Sequence, residues 1–452
     1  MFDQLDSAAA LRDVVSAGPG CRSEAELVDA IRLAEELKSA AAAAQVKATR
    51  ELARVRVARE EAERVPARRR GRGLASEIGL ARRESASRGT LHLGVARALG
   101  EMPHTFAALA TGRLNEWRAT LMARETAYLS LEAREEIDRQ VAADTDKVEG
   151  WGDRALVAEV RRLAYQLDPE GVVARARRAE ADRHVSVRPA PDTMSRLSAL
   201  LPVAMGVACY AALKTSADRA KGAGDLRSRG QIMADTLVER VTGRAAADGA
   251  DVEVKLALTD HTLFRGDAEP AHLEGYGTVP AQWARDLVRR ATGPDGAHPG
   301  ARAWIRQLYT HPVTGALVAM ASRRRCAPTG LAEFIATRDR TCRTPWCDAP
   351  IRDTDHVWAA AEGGPTTADN NQGLCEACNQ AKRLPGWRAR SSPGMRHLVV
   401  TTTPTGHVYG STAPAMPGHR PSSGETYQTP DVAVEYGPTH CPEPRTRSSL
   451  TA

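Results

Sequence analysis

The stretch CRTPWCDAPIRDTDHVWAAAEGGPTTADNNQGLCEACNQAK, residues 342–382, contains four of the eight cysteines of this 452-residue chain. They form two close pairs, Cys342 with Cys347 and Cys375 with Cys378, with 27 residues between the pairs. Four thiolates at these spacings favour a closed tetrahedral zinc site. Because a closed site leaves the metal no open position, we expect a structural Zn²⁺ that holds together a module too small for its own core.

The side chains between the two cysteine pairs are of a different kind. Asp355 and His356 follow a polar segment and precede an apolar one, as at the end of a strand, and a Gly/Pro loop follows at 363–370. The segment NQGLCEACNQAKR, 371–383, reads as the start of a helix that carries Asn379. A hard divalent cation prefers oxygen ligands, which Asp355 and Asn379 can supply. A neutral imidazole beside such an ion can act as a general base toward water.

With these residues, the stretch resembles the HNH endonuclease motif in its four-cysteine form, whose fold is called ββα-metal. The matching pattern is Asp-His, then Asn, then C-x-x-C-N-x-x-K. Upstream elements such as ALATGRLNEWRATLMAR at 108–124 and GDLRSRGQIMADTLVERV at 224–241 extend the likeness. They resemble an actinobacterial repeat family in which an amino-terminal domain of unassigned function precedes an HNH module. The resemblance covers most of residues 25–390.

The resemblance implies the roles of the catalytic residues. His356 would be the general base that activates water, and Asp355 and Asn379 would bind the catalytic divalent metal. Asn379 stands where many members have a third histidine, which favours an oxygen-ligated ion, Mg²⁺ or Mn²⁺, over a softer metal. The family implies cleavage of DNA that leaves a 5′-phosphate and a 3′-hydroxyl.

Two further positions take their roles from the same resemblance. Asn370 would be the middle asparagine that orients the loop and the base, and Asn371 is the second choice, one position away. Lys382 would lie near a substrate phosphate or close the helix.

We therefore expect an α+β chain whose mostly helical amino-terminal domain precedes a small zinc-stabilised ββα-metal (HNH) module and a disordered tail. The tail is rich in Pro, Thr, Ser and Gly and poor in apolar residues, a composition that cannot bury a core. The expected segments are a flexible amino terminus at 1–22, the helix-rich domain with a few strands at 23–325, the nuclease module with a trailing hairpin at 326–411, and the tail at 412–452.

Local signals predict many of the secondary-structure elements. Ser23 and Glu26 form an S-x-x-E capping box, and the helical run continues to Val65, before Pro66. The basic loop ARRRGRG at 67–73 is either a solvated linker or a phosphate contact. Periodicity and turn residues predict helices at 106–110, 115–128, 131–142, 154–166 and 227–243, strands at 184–188, 251–259 and within 304–320, and a hairpin at 397–410.

The longest strongly apolar run, LSALLPVAMGVACYAAL at 197–213, is shorter than the ~20 residues a membrane span needs. It also contains Pro202 and Gly206, so we expect a buried Ala-rich helix and no membrane partner. The amino terminus MFDQLDSAAALRD lacks a basic segment followed by an apolar one, which argues against a signal peptide and predicts a cytoplasmic location.

The charge balance permits a DNA partner without demanding one. The net charge is +6, but Glu333 to Arg390 holds eight basic and eight acidic residues, so the module is formally neutral. Affinity for phosphate would then come from clustering, from the metal and from flanking residues such as Arg323–Arg325. We expect the helical domain to position DNA or to form a homo-oligomer through its helices.

Two classes of function fit these observations: a metal-dependent DNA endonuclease, and a non-catalytic zinc-stabilised DNA-binding or assembly module. The second needs the four cysteines but does not need Asp355, His356 and Asn379 together, so their joint presence favours the enzyme. A third possibility is an HNH-type nuclease that serves a mobile element or phage defence. Its biological role would differ, but its reaction would be the same.

Overall fold

The computed structural model describes residues 23–243, 255–292, 308–311, 314–320, 327–392 and 396–418. Contacts divide the chain into two compact units. The helical unit contains the described residues up to Leu74 together with Thr90–Arg178, and the second unit contains Ala75–Gly89 and the described residues from Ala179 onward. The predicted flexible terminus at 1–22 and the predicted tail from residue 419 lie outside the described residues.

The first helix, α1 (Glu24–Ala62), begins at the predicted capping box. Ser23 Oγ accepts a hydrogen bond from the Glu26 amide at 3.3 Å, and Glu26 Oε2 accepts one from the Ser23 amide at 2.8 Å. The helix runs unbroken for 39 residues, which makes it roughly 60 Å long at the usual rise per residue. The prediction of one long helix at this place is confirmed.

The basic loop after α1 folds back onto the helix. A single 3₁₀ turn spans Ala67–Arg69. The guanidinium of Arg70 donates to Val65 O at 2.9 Å and to Glu61 Oε1 at 2.9 Å. Arg70 therefore serves the local fold of the loop.

Helices account for most of the chain between residues 74 and 181, and those predicted at 106–110, 115–128, 131–142 and 154–166 are confirmed with shifted ends. Their bounds are α2 (Leu74–Ala81), α3 (Ala86–Ala98), α4 (Pro103–Ala110), α5 (Glu116–Thr126), α6 (Leu131–Ala142), α7 (Asp153–Leu167) and α8 (Pro169–Ala181). The helical unit has an apolar core whose largest members are Leu99, Met102, Leu109, Met122, Ile137, Leu156, Val160 and Leu163. Burial of these side chains is the main force that holds this unit together.

A buried carboxylate caps one of these helices from a distance. The residue before α4, Met102, has no side-chain cap to offer. Asp138 of α6 instead accepts hydrogen bonds from the amides of His104 and Thr105, both at 2.8 Å, and from the Thr105 hydroxyl at 2.5 Å. The negative charge lies at the positive end of the α4 dipole, where it is favourable.

The second unit begins with two hairpins. The ribbon β1 (His184–Ala190) and β2 (Met194–Leu200) is antiparallel, and the helices α9 (Val203–Gly222) and α10 (Arg229–Thr242) pack on each other. The helix predicted at 227–243 and the strand predicted at 184–188 are thereby confirmed. Gly243 ends α10 in the left-handed conformation, with φ of 72°.

The remaining elements form small antiparallel sheets with short helices between them. In chain order they are β3 (Leu256–Ala257), β4 (Ala271–Leu273), β5 (Gly277–Val279), α11 (Ala281–Thr292), β6 (Leu308–Thr310), β7 (Leu317–Met320), α12 (Ala327–Asp339), β8 (Asp353–His356), β9 (Asn371–Leu374), α13 (Glu376–Lys382), β10 (Arg388–Ser392), β11 (Leu398–Thr402) and β12 (Val408–Thr412). The strands pair as β3-β4-β5, β6-β7, β8-β9 and β10-β11-β12. Predominant helix with small sheets toward the carboxyl-terminal part agrees with the predicted α+β class.

The predictions for the run 197–213 and for the end of the folded part differ from the observed structure. The run 197–213 was expected to be a buried helix, but its first four residues belong to β2 and the helical part of α9 is largely exposed. The folded part also continues past residue 411, since Ala413 and Met416 are buried. Among the described helices, none combines the length and apolar character that a membrane crossing requires.

Candidate metal centre and the polar cluster beside it

The candidate residues lie on two strands and one short helix. β8 pairs with β9 in antiparallel register, with Asp355 opposite Gln372 and His356 opposite Asn371. The helix α13 follows β9 after one residue, Cys375. The sequence at 371–374 was read as the start of a helix and is a strand instead, because its backbone pairs with β8.

The four predicted zinc ligands come together. The sulfur atoms of Cys342, Cys347, Cys375 and Cys378 all lie within 4.8 Å of one another, and the Cys347 and Cys375 sulfurs are 3.8 Å apart. Tetrahedral zinc with bonds of ~2.3 Å places its sulfurs about 3.8 Å from each other, whereas a disulfide needs about 2.05 Å. The cluster can therefore hold a zinc ion, and its spacing does not fit a disulfide.

Hydrogen bonds among the thiols show how much the cluster favours a cation. Bonds from Cys347 and Cys378 lower the pKa of the Cys342 thiol. The same bonds to Cys342 raise the pKa of Cys347 and of Cys378. Without a metal, one thiolate suppresses the ionisation of its neighbours; a dication would allow all four sulfurs to carry charge.

The turn that returns the chain between the first two cysteines is tight. Trp346 has φ of 58°, in the left-handed region that a bulky residue rarely adopts. The amide of Cys347 donates to Thr344 O at 3.0 Å, and the Cys342 amide donates to Ala349 O at 2.9 Å. These bonds fix the two sulfurs on one side of the turn. The indole of Trp346 packs edge-on against Tyr409.

Oxygens of the predicted catalytic metal site lie on facing elements. Asp353 and Asp355 are two residues apart on β8 and so project to one face of the strand. Asn379 of α13 donates its amide hydrogen to Asp353 Oδ2 at 2.9 Å. Among the described residues, Asn379 Oδ1 is buried and accepts no hydrogen bond, and Asp355 Oδ2 is buried with the Lys382 ammonium group as its partner. An amide oxygen and a carboxylate oxygen fit a hard cation, and Asp353 is a second acid, beside Asp355, that the sequence pattern does not single out.

Lys382 lies against the same carboxylate. Its ammonium group forms an ion pair with Asp355 Oδ2 and contacts the His356 carbonyl oxygen. Arg383 Nη2 lies 3.5 Å from the other Asp355 oxygen. The lysine predicted to meet a phosphate or close the helix thus has protein partners, and it neutralises Asp355.

His356 is directed away from Asp355, because neighbouring side chains of a strand point to opposite faces. Its Nε2 lies 2.9 Å from the Thr366 hydroxyl in the loop that joins β8 to β9. The imidazole is therefore associated with this loop rather than with the four sulfurs.

Asn370 ties that loop together. Its side-chain oxygen accepts from the Trp358 amide at 2.9 Å, and its Nδ2 donates to Trp358 O at 3.1 Å and to Pro365 O at 2.8 Å. The neighbouring Asn371 donates to Thr367 O at 2.7 Å. Both asparagines are buried, and Asn370 bridges the loop from its beginning to its middle.

A buried ionic network supports the strand β9 from behind. The guanidinium of Arg338 pairs with Asp339, with Nε 2.7 Å from Oδ1, and donates to Ala368 O and Asn371 O. Asp339 Oδ2 accepts from the Gly373 amide at 2.8 Å. The sequence alone does not reveal this pair, because adjacent Arg and Asp at a helix end usually lie at the surface. Only the pairing of distant segments buries them.

A short segment from far upstream packs on this module. Ala86 lies against the cysteine cluster. Glu77 Oε1 accepts hydrogen bonds from the Thr405 amide at 3.3 Å and from the Thr405 hydroxyl at 3.0 Å. Ala75–Gly89 therefore belongs to the same compact unit as the cysteines. The arginines expected to supplement the site, Arg323–Arg325, lie outside the described residues.

Comparison with known proteins assigns the larger part of the chain. The profile described as domain of unknown function (DUF222) matches residues 33–339, which is more than half of the sequence. The chain belongs to the DUF222 family. The DUF222 match ends before Cys342, so it leaves the cysteine cluster and the β8-β9-α13 arrangement without a family assignment.

The similar curated proteins come from Mycobacterium tuberculosis. The DUF222 chain is 34% identical over 192 residues to the uncharacterized protein Rv2100 and 33% identical over 183 residues to the uncharacterized protein Rv3776. These alignments cover 40% and 38% of this chain and 31% and 32% of the relatives. The chain thus spans about a third of the length of the relatives it matches. No solved structure shows significant similarity to it.

Proposed function

We propose that this chain is a metal-dependent HNH-type endonuclease that hydrolyses DNA phosphodiester bonds. The observation that carries the proposal is Asn379 Oδ1, a buried oxygen that accepts no hydrogen bond from the described residues, together with the buried Oδ2 of Asp355, whose partner is the Lys382 ammonium group. Asn379 lies on α13 and Asp355 on β8, and the chain order here is strand β8, strand β9, helix α13. The cysteine cluster that can hold zinc lies in the same segment of the chain. His356 occupies the adjacent position on the same strand.

Each residue has a distinct task in this mechanism. Asp355 and Asn379 hold a divalent ion, Mg²⁺ or Mn²⁺, which when bound stabilises negative charge on the phosphate. His356, oriented by the Thr366 hydroxyl, takes a proton from the attacking water. Asn370 keeps the Thr366 loop in place through its three hydrogen bonds. The cysteines hold the structural Zn²⁺ and take no part in the chemistry.

Supercoiled plasmid provides the test, with full-length protein in Mg²⁺, in Mn²⁺ or in EDTA. Conversion to nicked or linear DNA is expected with the metals and not with EDTA. His356→Ala should lower the rate on the order of 10²–10⁴-fold, the usual contribution of a general base. His407→Ala is the matched control, because His407 is exposed and lies on the β11–β12 hairpin.

Zinc content and circular dichroism of the His356 variant should match the parent, because the imidazole contacts none of the four sulfurs. A His356 variant that cuts at the parent rate would remove this residue from the mechanism. Loss of cutting in the His407 control would mean that the variants fail through folding.

The Lys382–Asp355 ion pair favours a second candidate function. A neutralised carboxylate has less affinity for a cation, as a non-catalytic zinc-stabilised DNA-binding or assembly module would require. That alternative predicts DNA retention in EDTA and no cleavage in Mg²⁺ or Mn²⁺. A gel-shift measurement beside the plasmid assay separates the two functions.

A further inference from the structure

The region 179–243 has almost no interior of its own. Within these residues, all of which are described, only Ala217 and Ile232 are buried. Large apolar side chains are instead exposed along the ribbon and into α9: Val185, Val187, Met194, Leu197, Leu200, Leu201, Val203, Met205, Val207 and Tyr210. Monomeric proteins rarely expose apolar surface in one continuous segment of this kind.

The ribbon has two chemically different faces. In the β1–β2 register, Val185 lies opposite Ala199 and Val187 opposite Leu197, so these four side chains share one face. The other face carries the pair Ser186 and Ser198 and the pair Arg188 and Arg196. An antiparallel ribbon with this alternation has one face built for burial, and here that face is exposed.

The first half of α9 continues the same surface. Val203 is 82% exposed and Val207 and Tyr210 are each 63% exposed, although residues 197–213 contain no charged side chain. A helix that is apolar on all sides is normally buried. A Cβ added at Gly206 would meet no atom within 4 Å, so nothing in the described chain accounts for a glycine in mid-helix.

We propose that this surface, the β1–β2 apolar face with the first half of α9, is the interface of a homodimer. Met194 and Leu200 lie on the Ser/Arg face of the ribbon. The other eight exposed side chains offer on the order of 80–100 Å² each, or roughly 640–800 Å², close to the ~800 Å² that each partner buries in a standard interface. The patch holds no charge, so two copies meet without repulsion although each chain carries +6.

The ribbon also favours a second copy over a different partner. The apolar face of the ribbon is uncharged and the same in every copy, so two ribbons stacked face to face about a twofold axis place this patch against itself.

The test is the mass of the full-length protein in solution, measured by sedimentation between about 0.5 and 100 µM. The parent should be a dimer across most of this range. Leu197→Lys, on the apolar face, should weaken dimerisation on the order of 100-fold or more, because an unpaired ammonium would be buried. Ser198→Lys makes the same change at the adjacent position on the polar face and should leave the mass unchanged.

Hydrogen exchange provides a measurement that does not depend on a variant. Amides of residues 194–200 should exchange more slowly at 50 µM than at 0.5 µM, while amides of the helical unit should not respond. A parent that stays monomeric at 100 µM overturns the proposal, as does an equal effect of the two lysine variants. Binding of a monomeric parent to phosphatidylcholine–phosphatidylserine vesicles would assign the surface to lipid and also overturn it.

Discussion

The helical unit and the cysteine module, residues 327–418, are both well packed, but different forces hold them. The helical unit buries Leu99, Met102, Ile137 and their neighbours in one apolar core. The module buries Arg338, Asp339, Arg343, Asn370, Asn371, Gln372 and Asn379, and the apolar cluster at its candidate metal site consists of three cysteines and Leu374. The first unit should therefore be indifferent to metals, whereas the second depends on a cation and on many buried polar and ionised groups.

Loss of zinc should produce the largest contrast between the two. Structural zinc contributes about 10–16 kcal/mol to small domains of this kind. Cys378→Ser, or chelation of the parent, should abolish protection of 342–382 against proteolysis while the helices of the helical unit survive. Cys209→Ser is the control, since Cys209 is exposed and outside the cluster. An intact module in a zinc-free sample would show that the contrast is mistaken.

Removal of one buried charge should have the next largest effect. Asp339→Ala leaves Arg338 buried without its partner and the Gly373 amide without its acceptor. Breaking such a pair costs about 3–5 kcal/mol. Denaturant unfolding followed in the module should register the loss, and Asp348→Ala, at an exposed position, should not. A decrease in the free energy of unfolding of less than about 1 kcal/mol would mean that water hydrates the arginine that has lost its ion-pair partner.

A core truncation in the helical unit tests the opposite side of the comparison. Ile137 is completely buried, and Ile137→Ala should cost about 2–5 kcal/mol. Ile31→Ala, at a position 70% exposed on α1, serves as the control. Zinc content should be unchanged in both, as measured by elemental analysis. Zinc loss in the Ile137 variant alone would show that the helical unit supports the metal centre.

A fall in pH should produce the smallest difference in stability between the two regions. Burial, reinforced by the charge of Arg338, lowers the pKa of His397 to about 4 from its ordinary 6.5. The neutral imidazole is the form that the fold favours, so its contribution is complete above pH 6.5 and is lost as the pH falls from 6.5 to 4. His397→Gln should flatten the decline of the melting temperature in this window. Parent and variant release zinc alike, so their difference isolates the histidine.

Features governed by local chemistry could be predicted from the sequence. The capping box at Ser23 predicted the start of α1, and the periodicity at 131–142 predicted α6. The zinc ligands were predictable because four cysteines in two close pairs have few other uses in one short stretch. Asp355 and His356 lie on a strand and Asn379 lies on a helix, as the polar and apolar residues around them predicted.

Features governed by distant contacts could not be predicted. The strand at Asn371–Leu374 carries no strand signal, and it forms because β8 and Asp339 bind its backbone. The Arg338–Asp339 pair reads as surface charge until α12 meets β9. The exposure of α9 was missed because the sequence reports that a segment is apolar and not which molecule covers it.

The contact between Glu77 and Thr405 has a consequence for the order of folding. The two residues are 328 positions apart in the chain. At about 5–20 residues per second, a ribosome needs roughly 15–65 s to make the intervening polypeptide. During this interval Glu77 of α2 lacks its partner Thr405, although the helices synthesised after α2 can already pack together. The second unit therefore completes only late in synthesis, and a chain released early would expose the segment 75–89 to chaperones and proteases.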